Sequence, residues 1–106
     1  MRDTMRAALG DTVGDLLRAG IKTSFTEKDL HNLGVEIPPV TFSPEKIKKL
    51  RSEMKLSQAV FAKLLNVSPS AVRQWEQGKR KPSGSTEVLL ELLERNPSIL
   101  EYRMAA

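Results

Sequence analysis

Apolar residues recur at helical spacing in the second half of the chain, in stretches that each follow a residue suited to capping a helix. Four such starts lie at Ser43-Pro44, Ser57, Ser68-Pro69 and Ser83 or Ser85, and a fifth lies at Asn96-Pro97. Because short connections separate these stretches, the pattern predicts an all-α domain of five helices. The residues predicted to face its core are Ile47, Leu50, Met54, Val60, Phe61, Leu64, Leu65, Val72, Trp75, Val88, Leu89, Leu92, Leu93, Ile99, Leu100 and Tyr102.

The first part of the chain has a weaker pattern, which predicts a helical and extended arm in front of that domain. Residues 4–19 have amphipathic helical spacing, although each of two glycines within them weakens such a helix by roughly 1 kcal/mol. Thr26, with Asp29 three residues later, predicts the start of a short helix, and the stretch VEIPPVTF that follows predicts extended chain. We therefore expect an N-terminal extension over 1–42 and the helical domain over 43–106.

Positive charge is concentrated in the middle of the 106-residue chain, whose formal net charge is +4. Residues 44–82 contain ten Lys and Arg but three Asp and Glu, whereas both flanks carry slightly more acid than base. A localised cationic region suggests a polyanionic partner, either nucleic acid or a membrane surface, although a solvated lysine-rich face gives the same composition. The densest part is the run Lys79-Arg80-Lys81, which closely follows the chain's one tryptophan.

The sequence lacks the residues that several other functions require. The chain has no cysteine and a single histidine, His31, so the sequence offers neither a disulfide nor a typical metal site. It has no apolar run of transmembrane length, no signal-peptide pattern and none of the common catalytic or phosphate-binding motifs. We therefore expect a cytoplasmic protein that is not an enzyme and needs no cofactor.

The second and third predicted helices are joined by only about three residues around Asn66, a residue type that tolerates the left-handed conformation of a tight turn. So short a link favours a near-perpendicular crossing, with the small Ala62 at the closest approach. If Val72 and Trp75 face the core, the opposite side of the third helix is polar. Arginine can bind guanine and glutamine can bind adenine through paired hydrogen bonds, so that side suits a DNA groove. Its outward stripe consists of Ser70, Arg73, Gln74 and Gln77.

The stretch LSQAVFAKLLNVSPSAVRQWEQGKRKPSG resembles the helix-turn-helix of the lambda-repressor/Cro-like (XRE) superfamily, and the resemblance extends over roughly residues 43–100. It lies in Gln58 at the start of the second helix, in Ala62 and Val72, and in the segment WEQGKRKPSG. The resemblance implies a five-helix domain that regulates transcription and binds palindromic operator DNA as a homodimer.

The resemblance also implies roles for individual residues. Asn66 stands where glycine is commoner, and Pro69 stands where a base-contacting polar side chain is common, so base contacts are expected from Ser70, Arg73 and Gln74. Arg51 and Glu76 are expected to form a partly buried ion pair. Phosphate contacts are expected at helix N-termini and beside the stripe. The expected phosphate-contacting residues are Gln58, Ser68, Gln77, Lys79, Arg80 and Lys81, and the expected structural residues are Arg51, Ala62, Val72, Trp75 and Glu76.

Within this superfamily the chain is similar to HigA-type antitoxins through its leucine-rich fourth helix, the segment NPSIL and the N-terminal extension. That similarity implies a type II toxin-antitoxin pair. The protein would neutralise a RelE-fold, HigB-like ribonuclease and repress its own operon, bound to the nucleoid in the bacterial cytoplasm. The arm has too few apolar residues to fold alone, so we expect it to become ordered on the toxin. The expected toxin contacts are Met5, Leu9, Val13, Leu16 and Leu17.

Two alternatives stay open from the sequence. A stand-alone XRE-family regulator without a toxin would pack its N-terminal helices on its own core or use them to extend its dimer. A protein-interaction module would keep the helix-turn-helix fold without binding DNA, and the absence of a donor at Pro69 favours this reading slightly.

Overall fold

The computed structural model describes residues 14–15, 18–20 and 24–104. Residues 24–104 contain five α-helices and one short 3₁₀ helix, and no described residue lies in a β-strand, which confirms the all-α class. None of the described helices is long and apolar enough to span a membrane. The α-helices are α1 (Glu27–Asn32), α2 (Pro44–Glu53), α3 (Gln58–Leu65), α4 (Pro69–Glu76) and α5 (Gly84–Arg95), and the 3₁₀ helix is Glu101–Met104. The five expected toxin contacts, Met5, Leu9, Val13, Leu16 and Leu17, lie outside the described residues.

The chain divides into two compact units between Pro38 and Pro39. In the first unit, α1 begins with a capping box: the Thr26 hydroxyl accepts the Asp29 N–H at 3.1 Å, and the Asp29 carboxylate accepts the Thr26 N–H at 3.0 Å. The helix ends at Asn32, and Gly34, two residues later, has a left-handed φ of 76°. The start predicted at Thr26 is therefore confirmed, and the glycine lets the chain turn after the helix.

The second unit begins at Pro39, ahead of residue 43, because Phe42 belongs to its core. The Phe42 side chain is 6% exposed, and its backbone N–H donates to Glu87 Oε2 on α5 at 2.8 Å. Lys46 Nζ lies 5.2 Å from the centre of the Phe42 ring, within the range of a cation–π contact. These contacts attach the chain that enters the domain to both α2 and α5.

A serine hydroxyl caps the start of every α-helix of the second unit. Ser43, Ser57, Ser68 and Ser83 each accept the N–H of the residue three positions later, at 3.1–3.3 Å. This pattern satisfies backbone donors that the first helical turn leaves free. The four predicted starts of α2 to α5 are confirmed, and Ser83 rather than Ser85 caps α5.

The connections after α2, α3 and α4 share one geometry. One of the first two residues after each helix has a left-handed backbone: φ is 59° at Lys55, 58° at Asn66 and 72° at Gly78. The N–H of the next residue then returns to a carbonyl oxygen in the last helical turn, as in the bond from Val67 to Ala62 at 2.9 Å. Asn66 and Gly78 suit this conformation, whereas Lys55 adopts it against its steric preference.

One apolar core joins the four α-helices of the second unit. Ile47, Phe61, Val72, Leu90 and Leu93 are fully buried in it. No buried side-chain nitrogen or oxygen lacks a hydrogen-bond partner within the described part of the chain. The remaining members of this core are Phe42, Leu50, Ala62, Leu65 and Trp75.

The predicted inner face of α5 was partly wrong. Val88 and Leu92 are 48% and 43% exposed, whereas Leu90, which was not predicted to face inward, is fully buried. α5 contains so many leucines that helical spacing alone is compatible with either of two faces being buried. The bond from Phe42 to Glu87 selects one of them, because Glu87 and Leu90 lie almost one turn apart on the same side.

Three other predicted core positions, Val60, Ile99 and Tyr102, were also wrong. Val60 is 48% exposed on the outer side of α3. The predicted fifth helix of the domain is a turn followed by the 3₁₀ helix, and Ile99 and Tyr102 are 37% and 73% exposed. Arg103 holds this segment in place by donating from Nε to the Leu64 carbonyl oxygen at 2.9 Å, where a helix C-terminus favours a cation.

Replacing Lys55 by glycine is expected to stabilise the second unit by about 1 kcal/mol. Glycine removes the steric free-energy cost of the left-handed conformation. That cost is larger than the free energy that glycine loses through its greater conformational entropy in the unfolded chain. Lys49→Gly in the interior of α2 is the matched control, and it should destabilise by about 1 kcal/mol. Thermal and urea unfolding of the three proteins measure the difference, and a destabilised Lys55→Gly protein would contradict the strain at this position.

Candidate nucleic-acid interface

An ion pair between α2 and α4 fixes the C-terminal end of α4. Arg51 Nε donates to Glu76 Oε2 at 2.7 Å and Arg51 Nη2 donates to Oε1 at 2.9 Å, so the contact is bidentate. Arg51 Nη1 donates to the Leu56 carbonyl oxygen at 3.0 Å, in the connection between α2 and α3. The Arg51 side chain is 16% exposed and that of Glu76 is 5% exposed, so one guanidinium links three elements where water competes little.

The environment shifts the pKa of both groups toward the ionised pair. Burial alone would raise the pKa of Glu76, but the hydrogen bonds from Arg51 and Gln58 and the charges of Arg51 and Lys48 outweigh it, so the pKa lies below its ordinary value. The hydrogen bond to Glu76 raises the pKa of Arg51 against the opposite effect of burial. The pair is therefore ionised at neutral pH.

The inner side of the α3–α4 element is apolar and closely packed. Val72 is fully buried and Trp75 is 4% exposed, and Ala62 has no exposed surface. Three residues connect the two helices, with Asn66 in the left-handed conformation and Ser68 as the cap of α4. The indole is thus a core group and is not available to stack on a base.

The outer side of α4 carries the polar stripe. Ser70, Arg73 and Gln77 are exposed, and Gln74 is half-buried. Gln74 Nε2 lies 3.4 Å from Ser70 Oγ, a weak contact that orients the amide along the helix. The structure therefore brings the expected base-contacting side chains together on one solvent-facing surface, although their role in DNA contact stays a prediction.

Two residues expected to contact phosphate already have partners inside the protein. Gln58 is half-buried, and its Nε2 lies 3.4 Å from Glu76 Oε1, next to the Arg51 pair. The Ser68 hydroxyl accepts the Ala71 N–H at 3.1 Å. Gln58 keeps a second amide hydrogen and Ser68 keeps its hydroxyl hydrogen, so each can donate to a phosphate without losing its internal contact.

The basic run Lys79, Arg80 and Lys81 is exposed and directly follows α4. The Lys79 N–H donates to the Gln74 carbonyl oxygen at 2.9 Å, which holds the start of the loop against the helix end. A cleft of about 280 Å³ lies between this loop and the N-termini of α4 and α5. The residues that line this cleft include Ser68, Arg80, Lys81, Ser83 and Thr86.

Ser83 and Thr86 were not recognised as candidate contact residues from the sequence. They lie beyond Pro82, outside the basic run, and only the fold brings them beside Arg80 and Lys81. Their capping pattern predicted a helix start, and a helix start next to two cations is the signal that would have indicated them.

This surface carries positive charge and almost no negative charge. Between Asn66 and Thr86 the sequence contains a single carboxylate, Glu76, and Arg51 neutralises it. The outward side of α4 and the basic run therefore present positive charge together with neutral donors. Such a surface can accept a phosphate backbone and place donors against base edges at the same time.

Comparison with known proteins supports a common origin for this region. A family profile described as "Helix-turn-helix" matches residues 47–99, half of the chain. The chain is 34% identical over 67 residues to "Antitoxin HigA-2" of Vibrio cholerae serotype O1, a match that covers 63% of this chain and 64% of that protein. It is also 34% identical over 64 residues to "Uncharacterized HTH-type transcriptional regulator YiaG" of Escherichia coli K12, which covers 60% of this chain and 67% of that protein.

The Glu76→Gln variant is expected to lose about 2–3 kcal/mol of folding stability at neutral pH, because it leaves a largely buried guanidinium without its carboxylate. Since folding lowers the pKa of Glu76, its contribution is complete above the ordinary carboxyl pKa and disappears as the pH falls through the lower folded value. The difference between parent and variant should therefore shrink in acid.

Urea unfolding across an acid-to-neutral pH series measures this difference. Glu53→Gln is the control, because the Glu53 side chain is 64% exposed and lies 4.0 Å from Lys49 Nζ. A constant difference across the series would show that charge at Glu76 does not stabilise the fold.

Proposed function

Because the chain belongs to the helix-turn-helix family, in its XRE-type branch of DNA-binding regulators, we propose that it is a sequence-specific transcriptional repressor and the antitoxin of a RelE/HigB-like ribonuclease. The observation that carries the DNA-binding part is the polar outer face of α4. That face is held outward by Val72 and Trp75 beneath it and by the Arg51–Glu76 pair at its end. No enzymatic activity is needed for either task.

In this proposal α4 enters the major groove of the operator. Arg73 binds a guanine edge, and Gln74, oriented by Ser70, binds an adenine edge. Pro69, at the start of α4, has no side-chain donor and is assigned no base contact. The phosphate contacts come from both sides of α4, at Gln58, Ser68, Gln77 and the basic run Lys79-Arg80-Lys81, with Ser83 and Thr86 lining the adjoining cleft.

A homodimer is proposed because one half-site rarely gives sufficient specificity and palindromic sites match two-fold symmetry. The outer face of α5 is suited to that contact. Val88 and Leu92 are one turn apart and about half exposed, and the ion pair between Glu91 and Arg95 lies on the same helix. A face that carries both charge signs around an apolar centre is complementary to a second copy of itself.

The antitoxin part is supported by the similarity to HigA-2 and by the N-terminal extension of 1–42. In this proposal the extension binds the toxin, the domain of 43–106 binds the operator, and the protein represses its own operon in the bacterial cytoplasm. The similarity to YiaG favours the second candidate, a stand-alone regulator without a toxin. The two candidates share the DNA interface and differ only in the use of the N-terminal unit.

Replacing both Arg73 and Gln74 by alanine is expected to remove most discrimination between the operator and unrelated DNA. Each lost base contact should cost about 1–3 kcal/mol on the operator and little on unrelated sequence. The operator is first identified by selection from random duplexes with the parent protein. Fluorescence anisotropy on operator and scrambled duplexes then measures both affinities.

Lys79→Ala provides the contrasting variant in the same assay. It should weaken binding to both duplexes equally. It should also lower by about one the magnitude of the slope of log affinity against log salt concentration. If the Arg73 and Gln74 double variant discriminates as well as the parent, α4 does not contact the bases. If the parent protein binds no duplex at all, it is a protein-interaction module with a helix-turn-helix fold and not a repressor.

Leu92→Glu is expected to convert the dimer into a monomer by placing two like charges at the apolar centre of the α5 contact. Sedimentation equilibrium measures the change, which should exceed tenfold in the dimer dissociation constant and reduce affinity for a full palindrome. Val60→Glu is the matched control, since Val60 is similarly exposed on α3. Equal behaviour of the two variants would place the dimer contact elsewhere.

A further inference from the structure

The helix α2 carries three lysines to which the proposed function assigns no role. Lys46, Lys48 and Lys49 are close together in the sequence, and all three are exposed. Sequence alone does not separate a lysine that binds DNA from one that only keeps the surface solvated. Their places around the helix do separate them, because successive residues of an α-helix point about 100° apart.

Two of the three lysines lie on the side of α2 that faces α5. Lys46 Nζ lies 5.2 Å from the centre of the Phe42 ring. Lys49 Nζ lies 4.0 Å from Glu53 Oε1, one turn further along α2. Both lysines line a groove of about 280 Å³ together with Glu53 and with Glu94 of α5. A phosphate backbone would meet two carboxylates there, so this side of α2 is unfavourable for DNA.

Lys48 belongs to the side of α2 that contacts the end of α4. Residues about one turn apart share a helix face, so Pro44 and Arg51 flank Lys48 on this side. Arg51 binds Glu76 at the C-terminal end of α4. A β-carbon at Gly78 would lie 3.6 Å from Pro44 Cγ, and both residues line a cleft of about 360 Å³ with two members of the basic run. Lys48 therefore lies between the Arg51–Glu76 pair and the turn that leads into the basic run.

The ammonium group of Lys48 is not neutralised by any described residue. The pKa of Glu76 is raised by burial and lowered by its hydrogen bonds and, less strongly, by the charge of Lys48, so Lys48 lies near this carboxylate. Both Glu76 oxygens are nevertheless bound to Arg51, and the Glu76 side chain is only 5% exposed. Lys48 forms no ion pair with any residue in the described part of the chain. It is thus an exposed cation beside α4 whose donors are available to an external anion.

We propose that Lys48 binds a backbone phosphate of the operator and extends the DNA interface from α3 and α4 onto α2. The inference rests on the proposed DNA binding and adds one contact residue to it. Gln58, whose amide lies 3.4 Å from Glu76, and the basic run stand on either side of Lys48. The three groups contact one strand of the backbone in succession. Lysine binds phosphate as a point charge, so this contact adds affinity without base preference.

The test is fluorescence anisotropy of the full-length chain on the selected operator and on a scrambled duplex, over a series of salt concentrations. Lys48→Gln should weaken binding to both duplexes equally, by about 3- to 10-fold near 0.1 M salt. The slope of log affinity against log salt concentration should fall in magnitude as much as in Lys79→Ala, because each variant removes one phosphate contact per protomer. Lys48→Arg should keep the parent slope, since arginine carries the same charge.

The matched control is Lys49→Gln, which removes the same charge from the neighbouring position on the α5 side and should keep the parent slope. Circular dichroism at the assay temperature should give all five proteins the same helical content, so that a weaker affinity reflects a lost contact. If Lys48→Gln keeps the parent slope, or if Lys49→Gln lowers the slope equally, the Lys48 contact is overturned while the repressor function stands. Weaker binding to the operator alone would make Lys48 a base contact and overturn the phosphate contact. If the parent protein binds neither duplex, the proposed DNA binding and the Lys48 contact both fail.

Discussion

The bidentate contact between Arg51 and Glu76 is the constraint on which the DNA-facing surface depends. An isolated helix of eight residues is marginal in water, so α4 needs external contacts to keep one orientation. Val72 and Trp75 hold its inner side, but apolar packing alone permits rotation and sliding. The fixed fork of the guanidinium permits much less, because two nitrogen–oxygen distances must be satisfied at once in a nearly dry site. The direction of the outer stripe follows from that geometry.

The features that the sequence predicted well are those decided by nearby residues. An N-cap serine accepts the N–H of the residue three positions later, a contact within one turn of chain, so the starts at Ser43, Ser57 and Ser68 were predictable from nearby residues. Asn66 adopts the left-handed conformation for a similarly local reason. The burial of Trp75 followed from its spacing to Val72 within a single helix. Once Val72 and Trp75 were predicted to face the core, the polar residues on the opposite side of α4 were predicted to face solvent.

The features that the sequence did not predict depend on residues far apart in the chain. The orientation of α5 is set by Glu87 and Phe42, which no spacing rule connects. The segment after Asn96 has a helical apolar pattern, yet it forms a short 3₁₀ helix because Arg103 is held at the end of α3. The cleft beside Ser83 and Thr86 appears only when two helix starts and a basic loop are brought together. Local rules fix the helices, and long-range polar contacts decide which faces they expose.

Charge is distributed unevenly between the two units of the chain. DNA requires a surface rich in cations, and from Asn66 to Thr86 the only carboxylate is neutralised. Residues 24–38 have the opposite balance, with Glu27, Asp29 and Glu36 against the single cation Lys28. One surface cannot attract partners of both charge signs, since each added charge that attracts one repels the other. Pro38 and Pro39 stand at the boundary of the two units and prevent a continuous helix or strand across it, so the acidic stretch and the basic stretch lie on separate units.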